Sequence, residues 1–205
     1  MSTKTSVSIN TLEAITNGRT LKFWEDEEYT KSHFNDGTGI ARYMCEATRA
    51  ISRAINLEFK KEPLHILEVG SGSGKATKMI SDELSKNRDI KLVATDMNKY
   101  EPSDYPIEQL LSHDAVKKYG STIDILFIIR PPPEGYLDYY AIKEYEMIKS
   151  SKPKYVLFVG EMGQADGCDE IHDYMHYDSN WNCIDYTELM SSWSEPFVFL
   201  FKLSS

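Results

Sequence analysis

Residues Leu67 to Thr77 read LEVGSGSGKAT, an apolar run followed by three glycines on alternating positions and a lysine. A strand that ends in such a turn is the usual opening of a nucleotide site, and three chemistries compete for it. A phosphate-cradling P-loop needs Gly, four residues, Gly-Lys, and then a hydroxyl for the metal. Here Ala76 follows Gly74-Lys75, and Val69 stands where the leading glycine belongs. A dinucleotide fingerprint needs its third glycine three places after the second. Counted from Gly72 that place is Lys75, and counted from Gly74 it is Thr77. Both readings fail.

What remains is Glu68-x-Gly70-x-Gly72-x-Gly74, with Ser71 between the first two glycines, directly after a strand. In pattern and register it resembles the first motif of the class I S-adenosylmethionine-dependent methyltransferases. The physical reason is a ligand without a pyrophosphate: an adenosine carrying an amino acid must lie against a bare, sharply turned backbone. The resemblance implies that Glu68 orders the loop and the amino-acid end of S-adenosylmethionine. It implies that Asp96, closing LVATD with Met97 beside it, accepts the ribose hydroxyls. It also implies that Asp114 contacts the adenine amino group while the small Ala115 leaves room for the ring. Each position has a plainer alternative. The glycines could make a tight turn with no ligand, Asp96 could simply open a turn, and Asp114 could cap a short helix.

The fourth strand runs into IIRPPPEGY, where three prolines without backbone donors must leave the sheet and stiffen a loop at the mouth of the pocket. Arg130, Pro131 and Pro132 are therefore candidate substrate-rim residues. The place is similar to the Asn/Asp-Pro-Pro-aromatic motif of methyltransferases that modify nucleobase amino groups. Arg130 replaces the polarising amide or acid, however, and Pro133 replaces the aromatic. Glu161, after the fifth strand, and Glu134 are candidate general bases for removing a proton from the acceptor. Cys168, His172 and His176 recur every four residues, as zinc ligands on a helix face would, but no fourth ligand is evident and no metal is expected.

These residues need a frame. LHILEV, IKLVAT, PIEQLL, IDILFII and KYVLFVG read as strands separated by helical stretches, so the expected fold is α/β: a doubly wound, mostly parallel seven-stranded sheet with helices on both faces. NCIDYTEL and PFVFLFKL have no helix between them and should close the sheet as an antiparallel hairpin. Apolar residues at Ile40, Tyr43, Met44, Ala47, Ile51, Ala54 and Ile55 mark one face of a helix that opens the domain, 39–205. Residues 1–38, with Phe23, Trp24, Tyr29 and Phe34, form an arm that could fold over the ligand.

The chain has 205 residues and a net charge of −9. That charge disfavours a broad phosphate-binding surface, so a nucleic-acid partner is not expected. No apolar run approaches membrane-spanning length. Three scattered cysteines suggest reduced thiols in a cytoplasmic setting. The reading is an S-adenosylmethionine-dependent methyltransferase whose acceptor is a small molecule or a protein. The alternatives are a catalytically inactive protein that keeps the fold, and a nucleic-acid methyltransferase with a degenerate proline motif.

Overall fold

The computed structural model describes residues 39–60, 63–132, 136–161, 166–178, 180–189 and 196–204. The expected arm, with its aromatics, and residues Pro133 and Glu134 lie outside them. The elements in chain order are α1 (Gly39–Glu58), β1 (Leu64–Val69), α2 (Lys75–Leu84), β2 (Ile90–Asp96), β3 (Ile107–Gln109) and α3 (Ser112–Tyr119). They continue with β4 (Ile125–Ile129), α4 (Leu137–Met147), β5 (Tyr155–Glu161) and α5 (Asp169–Asp173), which passes into a π-helical turn, Tyr174–Asp178. The chain then pairs β6 (Trp181–Glu188) with β7 (Pro196–Leu203).

The seven strands lie in the order β3-β2-β1-β4-β5-β7-β6. β1 pairs in parallel with both β2 and β4, β4 with β5, and β2 with β3, whereas β7 runs antiparallel to β5 and β6. The anticipated doubly wound sheet with its antiparallel hairpin is thus present. Its residue pattern explains it. Successive strand side chains point to opposite faces, so a strand covered on both sides must be apolar throughout. In β4, Ile125, Phe127 and Ile129 enter one core, with Ala47, Ile51 and Ile55 of α1 and Ile80 and Leu84 of α2. Leu126 and Ile128 enter the other, with Ala115 and Val116 of α3 and Ala141, Ile142 and Tyr145 of α4. Each such side chain contributes about 1.5–3 kcal/mol when fully buried. Outside the first core, Arg53 on the flank of α1 donates to Thr187 of β6 at 2.6 Å and pairs with Asp185 at 3.2 Å.

The strand order places the working end. From β1 the chain winds outward to β2 and β3, and later crosses back to β4 on the other side of β1. The crevice of an open α/β sheet lies beyond the carboxyl ends of the strands at such a reversal. The glycine loop leaves β1 at that point.

Candidate functional site

The loop between β1 and α2 is built by left-handed backbone. Gly70, Gly72 and Gly74 have φ of 71°, 58° and 80°. A side chain at Gly74 would meet Tyr105 Cβ at 2.7 Å, so this position is closed by packing. At Gly72 a Cβ would find nothing within 4 Å among the described residues. The backbone there is bare and faces open space, as an apposed ligand requires.

The end of β2 ties the loop down. Ser71 donates its amide to Thr95 O at 3.0 Å and its hydroxyl to the same oxygen at 3.3 Å. Thr95 Oγ1 donates to Glu68 O at 3.0 Å. Asp96 Oδ2 accepts the Gly72 amide at 2.9 Å, and Oδ1 accepts the Asn98 amide at 2.8 Å. Asp96 therefore braces the glycine loop as well as opening the turn after β2. A carboxylate offers about four lone-pair sites, so each oxygen keeps one beyond these two bonds.

Glu68 follows the pleat to the same face as Ile66 and is 1% exposed, beneath α2. Among the described residues, neither its Oε2 nor the hydroxyl of the buried Thr77 has a hydrogen-bond partner. Burial pushes the Glu68 carboxyl up to about 7, and the nearby Thr77 hydroxyl opposes this only in part. A buried carboxyl with an unpaired oxygen is costly to ionise, and a hydrogen-bond partner would relieve that cost.

On the other side of the crevice Met97 is 60% exposed, and Leu111 is also exposed. Asp114 lies in the first turn of α3, but the cap residue is Leu111, so the capping alternative does not hold. Its carboxylate is half exposed and approaches His113 at 3.5 Å and Lys117 at 3.9 Å. Ala115 is fully buried in the second core. It supports the helix start from beneath and has no face on the crevice.

The rim is cross-braced. Arg130 and Tyr136 take left-handed backbone, with φ of 48° and 55°, and are the only non-glycine residues to do so among those described. Such strain persists where surrounding contacts over-determine it. Arg130 Nε donates to Asp166 Oδ1 at 2.9 Å, and the second Asp166 oxygen accepts the Glu161 amide at 3.1 Å. Gly160 admits no side chain because Asp166 Cβ would lie 2.7 Å from it. Burial raises the Asp166 carboxyl despite the guanidinium beside it. Arg130 also reaches Glu161 Oε1 at 3.7 Å, so these two candidates do share the mouth. The Pro131 carbonyl accepts the Gly167 amide at 2.8 Å. Asp138, fully buried at the start of α4, accepts the Cys168 amide at 3.1 Å.

The Cys168, His172, His176 series does not form a metal face. Cys168 precedes α5, and the helix widens to a π turn before His176, which breaks the four-residue stacking. His172 bonds Asp166 O at 2.7 Å. His176 packs edge-on against Phe199 and Phe201, and burial lowers it to about 4. No three potential ligands gather among the described residues. Asp138, Asp166 and Tyr136 were not anticipated from the sequence. An Asp in the first turn after a loop, and an Asp before a glycine, are the only local signals they carry.

Magnesium protoporphyrin IX methyltransferase from Synechocystis PCC 6803, solved with bound SAM, superposes with a TM-score of 0.60 at 9% identity, over 88% of this chain and 92% of that one. The fold is that of the class I methyltransferases. The same methyltransferase fold recurs in the CMeT domain of the citrinin polyketide synthase, with a TM-score of 0.54 and 12% identity over 80% of this chain and 52% of that one. It recurs again in the ribosomal protein L11 methylase of Lactobacillus delbrueckii subsp. bulgaricus, with a TM-score of 0.50 and 13% identity over 83% and 81%. No family model matches the sequence, and no curated protein does. At these identities the likeness is one of fold.

Proposed function

We propose that the protein transfers a methyl group from S-adenosylmethionine to a small molecule or a protein. The observation that carries the reading is the bare Gly72 backbone, open where a side chain would stand and flanked by the Asp96 carboxylate. Gly70, Ser71, Gly72 and Gly74 form the cradle, and Asp96 offers its free lone pairs to the ribose hydroxyls. Glu68 serves the amino-acid end. Met97 lies against the adenine, Asp114 faces its amino group, and Ala115 sets the height of the helix start on which Asp114 stands.

The bound cofactor supplies an activated sulfonium methyl, so little covalent help is asked of the protein. Its residues align the acceptor with the methyl donor and exclude water. Arg130, Pro131 and Pro132 shape the mouth, and Asp166 fixes the Arg130 guanidinium there. Glu161 is the base that takes a proton from the acceptor heteroatom, with Glu134 as the second candidate. Glu161 sits within reach of Arg130, which holds the carboxylate at the rim.

Two measurements test the reading together. Calorimetry with adenosylhomocysteine should show one site per chain, lost in Asp96→Ala. Transfer of labelled methyl from S-adenosylmethionine to a panel of alcohols, acids, amines and peptides should then identify the acceptor, with Glu161→Gln slowing transfer and leaving cofactor affinity intact. Binding without transfer to any class would favour the inactive, fold-retaining alternative. Failure to bind adenosylhomocysteine would overturn the methyl-transfer reading and leave only a scaffold that keeps the fold.

A further inference from the structure

We infer that the protein carries a second site, for a small phosphorylated anion, at the amino ends of β5 and β6 and the carboxyl end of β7, opposite the glycine loop. A cavity of about 560 Å³ opens there, lined by Lys152, Lys154, Lys202, Asn182, Ser150 and Ser204 among others. No carboxylate lines it among the described residues. In a chain of net charge −9 this is a concave surface whose charged lining is all ammonium, and such a surface draws an incoming anion.

The arrangement of protons strengthens the case. Ser150 Oγ accepts the Lys152 amide at 3.0 Å, and Ser204 Oγ accepts Asn182 Nδ2 at 2.6 Å. Each hydroxyl is thus used internally as an acceptor and keeps its own proton to donate. Two of the three ammonium groups have carboxylate partners that stand outside the lining. Lys152 meets Asp124, which also accepts from His65. Lys202 meets Glu58 at 3.4 Å, which also accepts from Tyr155.

Lys154 is the centre of the site. It is 8% exposed and forms no ion pair among the described residues. Its Nζ donates to the Glu146 carbonyl, in the last turn of α4, at 2.7 Å, and lies 5.6 Å from the centre of the Tyr145 ring. One of its three donors is so used. Burial lowers its pKa, and the Glu146 carboxylate nearby offsets this only in part. An oxyanion in the cavity would meet the two remaining donors of Lys154, and charge-assisted bonds to ammonium groups and hydroxyls are the chemistry that holds phosphate.

The probe is inorganic pyrophosphate, titrated by calorimetry and followed by phosphorus NMR, against sodium chloride at equal ionic strength. The wild-type protein should bind it saturably. Asn182→Asp, a change at an exposed residue that places a carboxylate in the lining, should weaken binding by roughly tenfold or more. Lys154→Gln should do the same. Adenosylhomocysteine affinity should be equal in all three proteins, which separates this site from the proposed methyl-transfer site. The inference fails if pyrophosphate does no more than matched salt, or if Asn182→Asp binds it as well as the wild type.

Discussion

Replacing Glu68 by glutamine tests how the buried acid is accommodated. The carboxyl ordinarily titrates at 4.5 and is raised to about 7 by burial. A tenfold change in a protonation equilibrium corresponds to about 1.4 kcal/mol, so the fold is penalised by about 3 kcal/mol once this group must ionise. The sign follows from proton binding. The folded state holds the proton more tightly than the unfolded chain. The stability that Glu68 allows is therefore fully present below pH 4.5 and is lost as pH rises to about 7. The Glu68→Gln side chain cannot ionise and escapes that loss. Its own amide is also desolvated, which shifts the variant by a constant that pH does not alter. Urea unfolding of both proteins from pH 4.5 to 8 isolates the effect. The stability difference, variant minus wild type, should rise by about 3 kcal/mol across the range and level off above pH 7. A flat difference, or one that falls with pH, would refute the assignment of a buried, unsatisfied carboxyl.

Other outcomes follow from the same structure. Gly72→Ala should cost about 1–2 kcal/mol in stability, the left-handed backbone penalty alone, whereas Gly74→Ala adds the clash with Tyr105 and should cost more; thermal melts of the pair rank them. Calorimetry should show that the surviving Gly72→Ala protein has lost most of its adenosylhomocysteine affinity. His176 is held to about 4 from an ordinary 6.5, so its contribution is present above pH 6.5 and is lost as pH falls toward 4. His176→Phe should remove about 2–3 kcal/mol of that acid sensitivity in denaturant titrations, and an unchanged acid profile would disprove it. Asp166→Asn should loosen the rim at a cost of about 1–3 kcal/mol, seen as a lower urea midpoint.

The fold was legible because its strands are chemically explicit. ILFII has no polar position and so demands cover on two faces, and PFVFLFKL followed NCIDYTEL too closely for a crossover helix. The glycine loop was equally readable, since alternating glycines report positive φ directly. Asp96 was placed at the right strand end, but its grip on the Gly72 amide depends on how closely β2 lies beside β1, which spacing along the chain does not encode. Ala115 was read as a gap beside a ring, yet α3 turns it into the core. The metal-like recurrence of Cys168, His172 and His176 assumed a uniform helix, and a widened turn removed it. The rim was least readable. Asp138 and Asp166 act through segments far apart in sequence, and only the packing of α4 against the turn before α5 brings them to one place.

Asp96 holds the glycine turn in shape with the same two oxygens that a guest's sugar would seek. Pocket and occupant thus compete for, and share, a single anionic group. On the proposed function, its loss would slacken the loop and remove the mooring at one stroke, so a lineage would shed nucleoside uptake in a single step and could not trade loop order against grip by degrees.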